Sequence, residues 1–179
     1  MYAPHTVTLY NVINETDPAT FVDTEHTYIT LLEGVFLDAT KATNVRMSGL
    51  ESADAVDLFI PFDVKATSLD TGAIKHFVEP MVFWAASEED RATMWTLGIE
   101  GTGGESFFVK GELTDFAFFS PADYDGVLTE DGYMFAAIGA TNYRSADVAR
   151  MHDNAYNITK VDTKDFGSVN MRHWQVGAV

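Results

Sequence analysis

The stretch Thr6-Val7-Thr8-Leu9-Tyr10-Asn11-Val12 decides the class of fold. Apolar and polar residues alternate along it with a period of two, which in an extended chain sends them to opposite faces. A helix would need its apolar set at intervals of three and four. The segment is therefore expected as a half-buried β-strand. Outward from it the same grammar repeats. Residues 14–24, with Pro18 and several acids, are expected as a turn or hairpin loop. Residues 28–37 form a second strand region, and Gly34 within it marks a bulge or sharp bend. Residues 54–62 form a third, stopped by Pro61, and the stretch 40–52 between the two is polar and carries Gly49.

Residues 63–79 are a longer connection with one apolar pair, Phe77-Val78, followed by the short apolar run Met81-Val82-Phe83-Trp84. Ser87-Glu88-Glu89-Asp90 is the best helix start in the chain, with a cap residue and acids in the first turn. The helix is expected to be brief, because Trp95-Thr96-Leu97-Gly98 is extended in character and Gly101-Thr102-Gly103-Gly104 is a flexible turn. Phe107-Phe108-Val109 is a strand that ends near Lys110 and Gly111. Further short strands are expected at 116–119 and 133–140, and short helices at 120–128 or 145–152. Ile158–Val161 and His173–Val176 are the last strands, joined as a hairpin through Asp165-Phe166-Gly167-Ser168. The sum is an all-β fold: a single β-barrel or sandwich-like domain over residues 1–179, with long loops near 63–80 and 140–157 and one or two short helices.

Composition agrees with one folded domain. The chain has 179 residues, 46% of them hydrophobic and 21% charged, and a domain spans roughly 100–200 residues. Cysteine is absent, which excludes disulfide frameworks, thiolate zinc sites and thiol nucleophiles. The 27 acidic residues outnumber 11 basic ones, for a net charge of −16. A general field of that sign repels nucleic-acid phosphates and anionic membrane surfaces. The charge is uneven. Residues 1–40 and 111–143 each hold six acids and no Lys or Arg, whereas 144–179 holds Arg144, Arg150, Lys160, Lys164 and Arg172 against four acids. The first residues lack the basic and apolar regions of a signal peptide.

No catalytic pattern stands out, and the chain is expected to be neither an enzyme nor a cofactor or metal protein. His5, His26, His76, His152 and His173 are scattered, without the spacing that places two imidazoles on one metal. Gly167-Ser168 and Ser48-Gly49 lie outside the Gly-x-Ser-x-Gly frame of a serine nucleophile. The glycine run at 101–104 lacks the Lys-Ser/Thr of a phosphate loop. The aromatic window holding Phe107, Phe108, Phe116, Phe118, Phe119 and Tyr124 is expected to pack the core rather than to form a stacking platform.

Several segments together carry a resemblance. They are Thr6–Asn11; Glu33–Leu37 with Asn44-Val45, Ser48–Val56 and Phe59-Ile60-Pro61-Phe62; Phe108–Glu112; and Ile158–Ser168 with Arg172–Gly177, the most specific of the four. In this order they resemble a group of small proteins encoded in the head–tail connector region of tailed bacteriophages, the minor capsid or head-completion proteins. Residues 63–105 and 113–157 have no counterpart in that pattern. The resemblance implies a virion structural protein of the neck, a head-closure (stopper) component between the portal or adaptor ring and the tail. It implies structural roles for Gly34 and Gly49 at bends, for Lys110 and Gly111 at a strand end, for Phe166 and Gly167 in a turn, and for Trp174 as a core or interface anchor. The expected partners are further copies of the chain in a ring of six or twelve, the portal or adaptor, and tail proteins, with DNA passing an acidic channel and no specific nucleic-acid binding. A capsid decoration protein and a carbohydrate-binding β-sandwich are the competing readings.

Overall fold

The computed structural model describes residues 3–16, 18, 21, 23–40, 43–46, 49–52, 55–99, 104–112 and 155–179. The strands and helices expected at 116–119, 120–128, 133–140 and 145–152 lie outside these residues. In chain order the elements are β1 (His5–Thr16), β2 (Asp23–Thr40), β3 (Thr43–Arg46), β4 (Gly49–Ser52), β5 (Ala55–Pro61), β6 (Lys65–Ser68), β7 (His76–Phe77), α1 (Pro80–Ala85), α2 (Glu88–Arg91), β8 (Met94–Trp95), β9 (Gly104–Lys110), β10 (Ala155–Lys164) and β11 (His173–Ala178). A single 3-10 turn, Val169–Met171, precedes β11 among the described residues.

Seven of the described strands hydrogen-bond in the order β1-β9-β10-β11-β5-β2-β6, and a further β1–β2 pairing closes the first six into a ring. Each neighbouring pair in the ring is antiparallel. The fold is thus all-β and its main body a closed barrel, the architecture that leaves fewest unpaired edges. Strand β2 makes this possible by its length. One edge pairs with β1 along residues 23–35. Its other edge pairs with β6 at Thr30–Glu33 and with β5 at Phe36–Thr40.

Gly34 sits at the junction of those two stretches. In the β1–β2 ladder His5 faces Val35 and Thr6 faces Glu33, so Gly34 is the extra residue of a bulge. Its φ of +84° is a conformation that costs an L side chain free energy. The bulge expected at this glycine is therefore present.

The barrel interior is lined by alternate residues of its strands: Val7 and Leu9 from β1, Leu32 from β2, Val56, Leu58 and Ile60 from β5, Phe108 from β9, Trp174 and Val176 from β11. The period-two pattern of β5 and β11 matches this one-sided burial. Strand β1 departs from its expected half-burial, since Val7 to Ile13 are buried without interruption. The reason is a second apolar cluster on the other face of the same strands, made of Tyr10, Val12, Ile29, Phe107 and Val109. The Tyr10 and Phe107 rings stack there with centroids 4.6 Å apart. Phe107 and Phe108 are thus both core residues, on opposite sides of one strand.

The connection expected at 63–79 is more structured than its composition indicated. It adds β6 to the sheet and pairs β7 with β8 in parallel. The apolar run Met81–Trp84, to which the sequence assigned no element, is helical: Pro80 opens the first turn, where its missing N–H costs nothing. The polar stretch 40–52 likewise holds a hairpin, β3 with β4, in which Gly49 begins β4 opposite Arg46. Trp95 and Leu97 at the end of the 76–99 excursion belong to the barrel core itself. The short helix capped by Ser87 forms as its sequence indicated, with Ser87 Oγ accepting from the Asp90 N–H at 3.2 Å.

Candidate interaction surfaces

The excursion 76–99 is fastened to the barrel wall at two polar points. Asn11 points inward from β1, and its Nδ2 donates to the Thr96 carbonyl and to Ser106 Oγ, each at 2.8 Å. The Thr96 N–H donates back to Asn11 Oδ1 at 3.3 Å, and the Gly98 N–H donates to Ser106 Oγ at 2.9 Å. The amide of Asn11 thereby stands in for a neighbouring strand that the excursion lacks, satisfying buried backbone groups that would otherwise be costly. The second point is Arg91. Its Nε donates to the Phe83 carbonyl at 3.1 Å and its Nη2 to the Trp84 carbonyl at 2.8 Å, closing the open end of α1. Nη1 pairs with Glu15 of β1 at 2.6 Å. Hydrogen bonding to Arg91 holds the Glu15 carboxyl below the usual carboxylate range.

With Phe83 buried against Tyr28, in an edge-to-face contact of 5.6 Å, α1 turns Met81 and Val82 outward. Met81 and Val82 are 73% and 52% exposed. Glu79, Glu88, Glu89 and Asp90 are exposed on the same short stretch. The result is an apolar spot flanked in sequence by exposed acids.

A second exposed apolar spot lies in the β10–β11 connection, where Phe166, Val169 and Met171 are 63–75% exposed. Gly167 takes a φ of +89° there, and a side chain at its position would meet Met171 at 3.8 Å. The connection is anchored from inside. The Phe62 N–H donates to the Arg172 carbonyl at 3.3 Å, and the Phe62 ring packs on Trp174 at 4.3 Å. Trp174 in turn touches Phe77 at 4.3 Å and Trp95 at 5.6 Å. The charges beside this spot are of both signs, with Asp165 exposed next to Phe166. Arg172 is exposed and forms no ion pair with another described residue, while Lys164 lies 3.5 Å from Asp162.

From the same hairpin an aromatic row crosses the outer wall: His173 to Phe59 at 5.7 Å, Phe59 to Phe36 at 5.9 Å, Phe36 to His5 at 5.7 Å. Successive rings are inclined by 54°, 50° and 40°. They do not form the flat shelf on which a sugar ring stacks.

Among the residues singled out by sequence, the structure unites Phe166, Gly167 and Trp174 in one hairpin, Phe166 outside and Trp174 inside. Lys110 is the exposed last residue of β9. Gly111 ends that strand with a φ of +92°, its N–H donating to the Thr6 carbonyl at 2.8 Å and its carbonyl accepting from Thr8 Oγ1 at 2.7 Å. Gly34, Gly49, Lys110 and Gly111 stand on other strands, so the set is not one site. Met81, Val82, Val169 and Met171 escaped the sequence reading. Their signal was available in part: Val169 and Met171 are large apolar residues inside a connection that needs none for its turn.

Lys75 is a buried cation. Its Nζ donates to the Ile29 carbonyl at 3.1 Å and to Thr30 Oγ1 at 3.2 Å. Burial lowers its pKa to about 8, against the opposing pull of Asp70. Burial likewise raises the Asp70 carboxyl. No group of three or more His, Asp or Glu side chains that could hold a metal occurs among the described residues. No helix among them is long and apolar enough to cross a membrane.

The model of a protein family whose function is unknown, DUF6751, matches residues 2–179, the whole length of the barrel and its excursions. The chain belongs to the DUF6751 family. No curated protein and no solved structure matches it. The family match spans the barrel strands, the excursion 76–99 and both exposed spots, so all of these features lie within one DUF6751 unit.

Proposed function

We propose that this protein is a structural component of a tailed-bacteriophage virion, a head-closure (stopper) protein of the neck that joins portal or adaptor to tail. The observation that carries the reading is the β10–β11 hairpin. The segment with the most specific resemblance to connector proteins is also the one that buries Trp174 and turns Phe166, Val169 and Met171 outward. Exposed apolar residues fixed on a rigid closed barrel are the mark of a surface made to be covered. The net charge of −16 supports the same reading, since a ring around a DNA channel works best when its wall does not hold the phosphates. The carbohydrate-binding alternative loses support from the inclined aromatic row.

Cryo-electron microscopy of the virion tests the proposal. The expected result is a ring of six or twelve copies at the single portal vertex, with portal or adaptor on one side and tail on the other. Copies spread over the capsid lattice would replace the stopper reading with that of a decoration protein.

A further inference from the structure

We propose that the outer face of β2 and β5 docks an arginine of another protein, its guanidinium laid on the Phe36 and Phe59 rings and bonded to Asp38 and Asp57. The strand register builds this face. Val35 and Leu37 of β2 and Leu58 and Ile60 of β5 belong to the barrel core, so Phe36, Asp38, Asp57 and Phe59 point outward. Phe36 stands directly opposite Phe59, and Asp38 directly opposite Asp57. The two rings are half-buried, with centroids 5.9 Å apart and planes inclined by 50°, and both Asp residues are exposed. One rung of the sheet thus offers aromatic surface. The next, about 7 Å further along the strands, offers two negative charges.

The fold leaves the acidic rung unfinished. Like charges directly opposite each other on neighbouring strands destabilise a sheet. Asp38 makes no ion pair or side-chain hydrogen bond with another described residue. Asp57 accepts from Gln175 Nε2 at 3.4 Å. Lys160, beyond Gly177 on the same rung, feels the charge of Asp57 but bonds Asp162 at 2.7 Å. Lys164 lies 3.5 Å from the same Asp162. The cations of this wall are therefore gathered on β10 around a carboxylate of their own, and the β2–β5 side stays acidic. Arginine fits both rungs. Its planar fork bonds carboxylates while its face lies on an aromatic ring, whereas the lysine ammonium is a compact, strongly hydrated point charge. Attraction to a ring extends to about 6 Å from the centroid, which spans the step from the acidic rung to the aromatic one. A second copy is a poor donor of this arginine, because each copy carries −16 and repels the next.

Backbone amide NMR of the full chain, titrated with a capped glycine-arginine-glycine peptide, tests the contact. Saturable shifts are expected at Phe36, Asp38, Asp57 and Phe59, and the rings should move the arginine δ-methylene protons upfield. The matching lysine peptide should bind about threefold more weakly. Asp38→Asn should weaken arginine binding by about fivefold, and Phe59→Leu, which keeps an apolar side chain but removes the ring, by about threefold. Asp38→Asn should at the same time leave the melting temperature unchanged or raised, because it relieves the opposed charges. Its weaker binding then reports the contact and not the fold. Absence of saturable shifts at these four residues, shifts spread evenly over the acidic surface, an equal response to both peptides, or a lowered melting temperature for Asp38→Asn overturns the proposal. Broadening at Phe36 and Asp38 that grows with protein concentration in the absence of peptide would assign the surface to a second copy and overturn the choice of partner. The contact does not depend on the neck reading: the titration reads the arginine seat, and microscopy reads the position in the virion.

Discussion

Gly34 is held in the left-handed region with no atom near enough to obstruct a Cβ. The cost of a side chain there is therefore one of backbone alone. Gly34→Ala should destabilise the fold by about 1–2 kcal/mol, and Gly34→Asn by less, as measured by urea unfolding. Lys75 makes stability depend on pH in a definite direction. Its folded pKa of about 8 lies below the ordinary 10.5. Between those values the unfolded chain binds more protons than the folded one, so stability rises with pH across that window. The full gain is about 3 kcal/mol, and Lys75→Met should abolish the rise. Burial raises the hydroxyls of Tyr10 and Tyr28 above their ordinary value of 10. Past that pH the folded state holds protons the unfolded chain releases, and stability falls. Unfolding curves from pH 7 to alkaline conditions should therefore show a maximum near pH 10 in the parent protein.

At the scale of elements, the excursion 76–99 depends on Asn11. Asn11→Ala removes the partners of the Thr96 N–H and carbonyl together, and each buried backbone group left unmade costs about 1–3 kcal/mol. A loss of about 2–4 kcal/mol is expected, with faster amide exchange at Thr96 and Gly98 ahead of the barrel strands. Asn11 also shows where the sequence was legible and where it was not. The strands β1, β2, β5, β9, β10 and β11 follow from period-two patterning and glycine punctuation, and the terminal hairpin from its turn. Asn11, however, occupies an inward position of β1, and local pattern cannot tell that a distant backbone at Thr96 will claim its amide. The helix α1 was hidden for a related reason. Met81-Val82-Phe83-Trp84 lacks a polar face, and besides Pro80 at its start the helix relies on Arg91, which bonds its final carbonyls from beyond Ser87. The interaction spots were half visible. Phe166 and Trp174 were marked by type, but which of the two faces solvent depends on the pairing of β11 with β5, a contact between residues far apart in the chain.

At the scale of the whole molecule, the ring of strands makes the fold a cooperative unit. Removing residues 158–179 takes away β11 and most of β10, together with Trp174, whose truncation alone typically costs about 3–5 kcal/mol. The shortened chain is expected to lose cooperative thermal unfolding and to aggregate. A soluble product with an unchanged melting temperature would show that the hairpin is dispensable. The placement of β11 between β10 and β5 has a further consequence during synthesis. Strand β5 leaves the ribosome long before its neighbour, and the ring cannot close until residues 173–178 have emerged. Through that interval the nascent chain carries open margins on β5 and β10, the kind of edge that recruits other chains. Its acidic charge keeps such intermediates apart. Translation that stalls just short of Trp174 would therefore release a nearly full-length chain with both margins exposed, the product most dependent on chaperones.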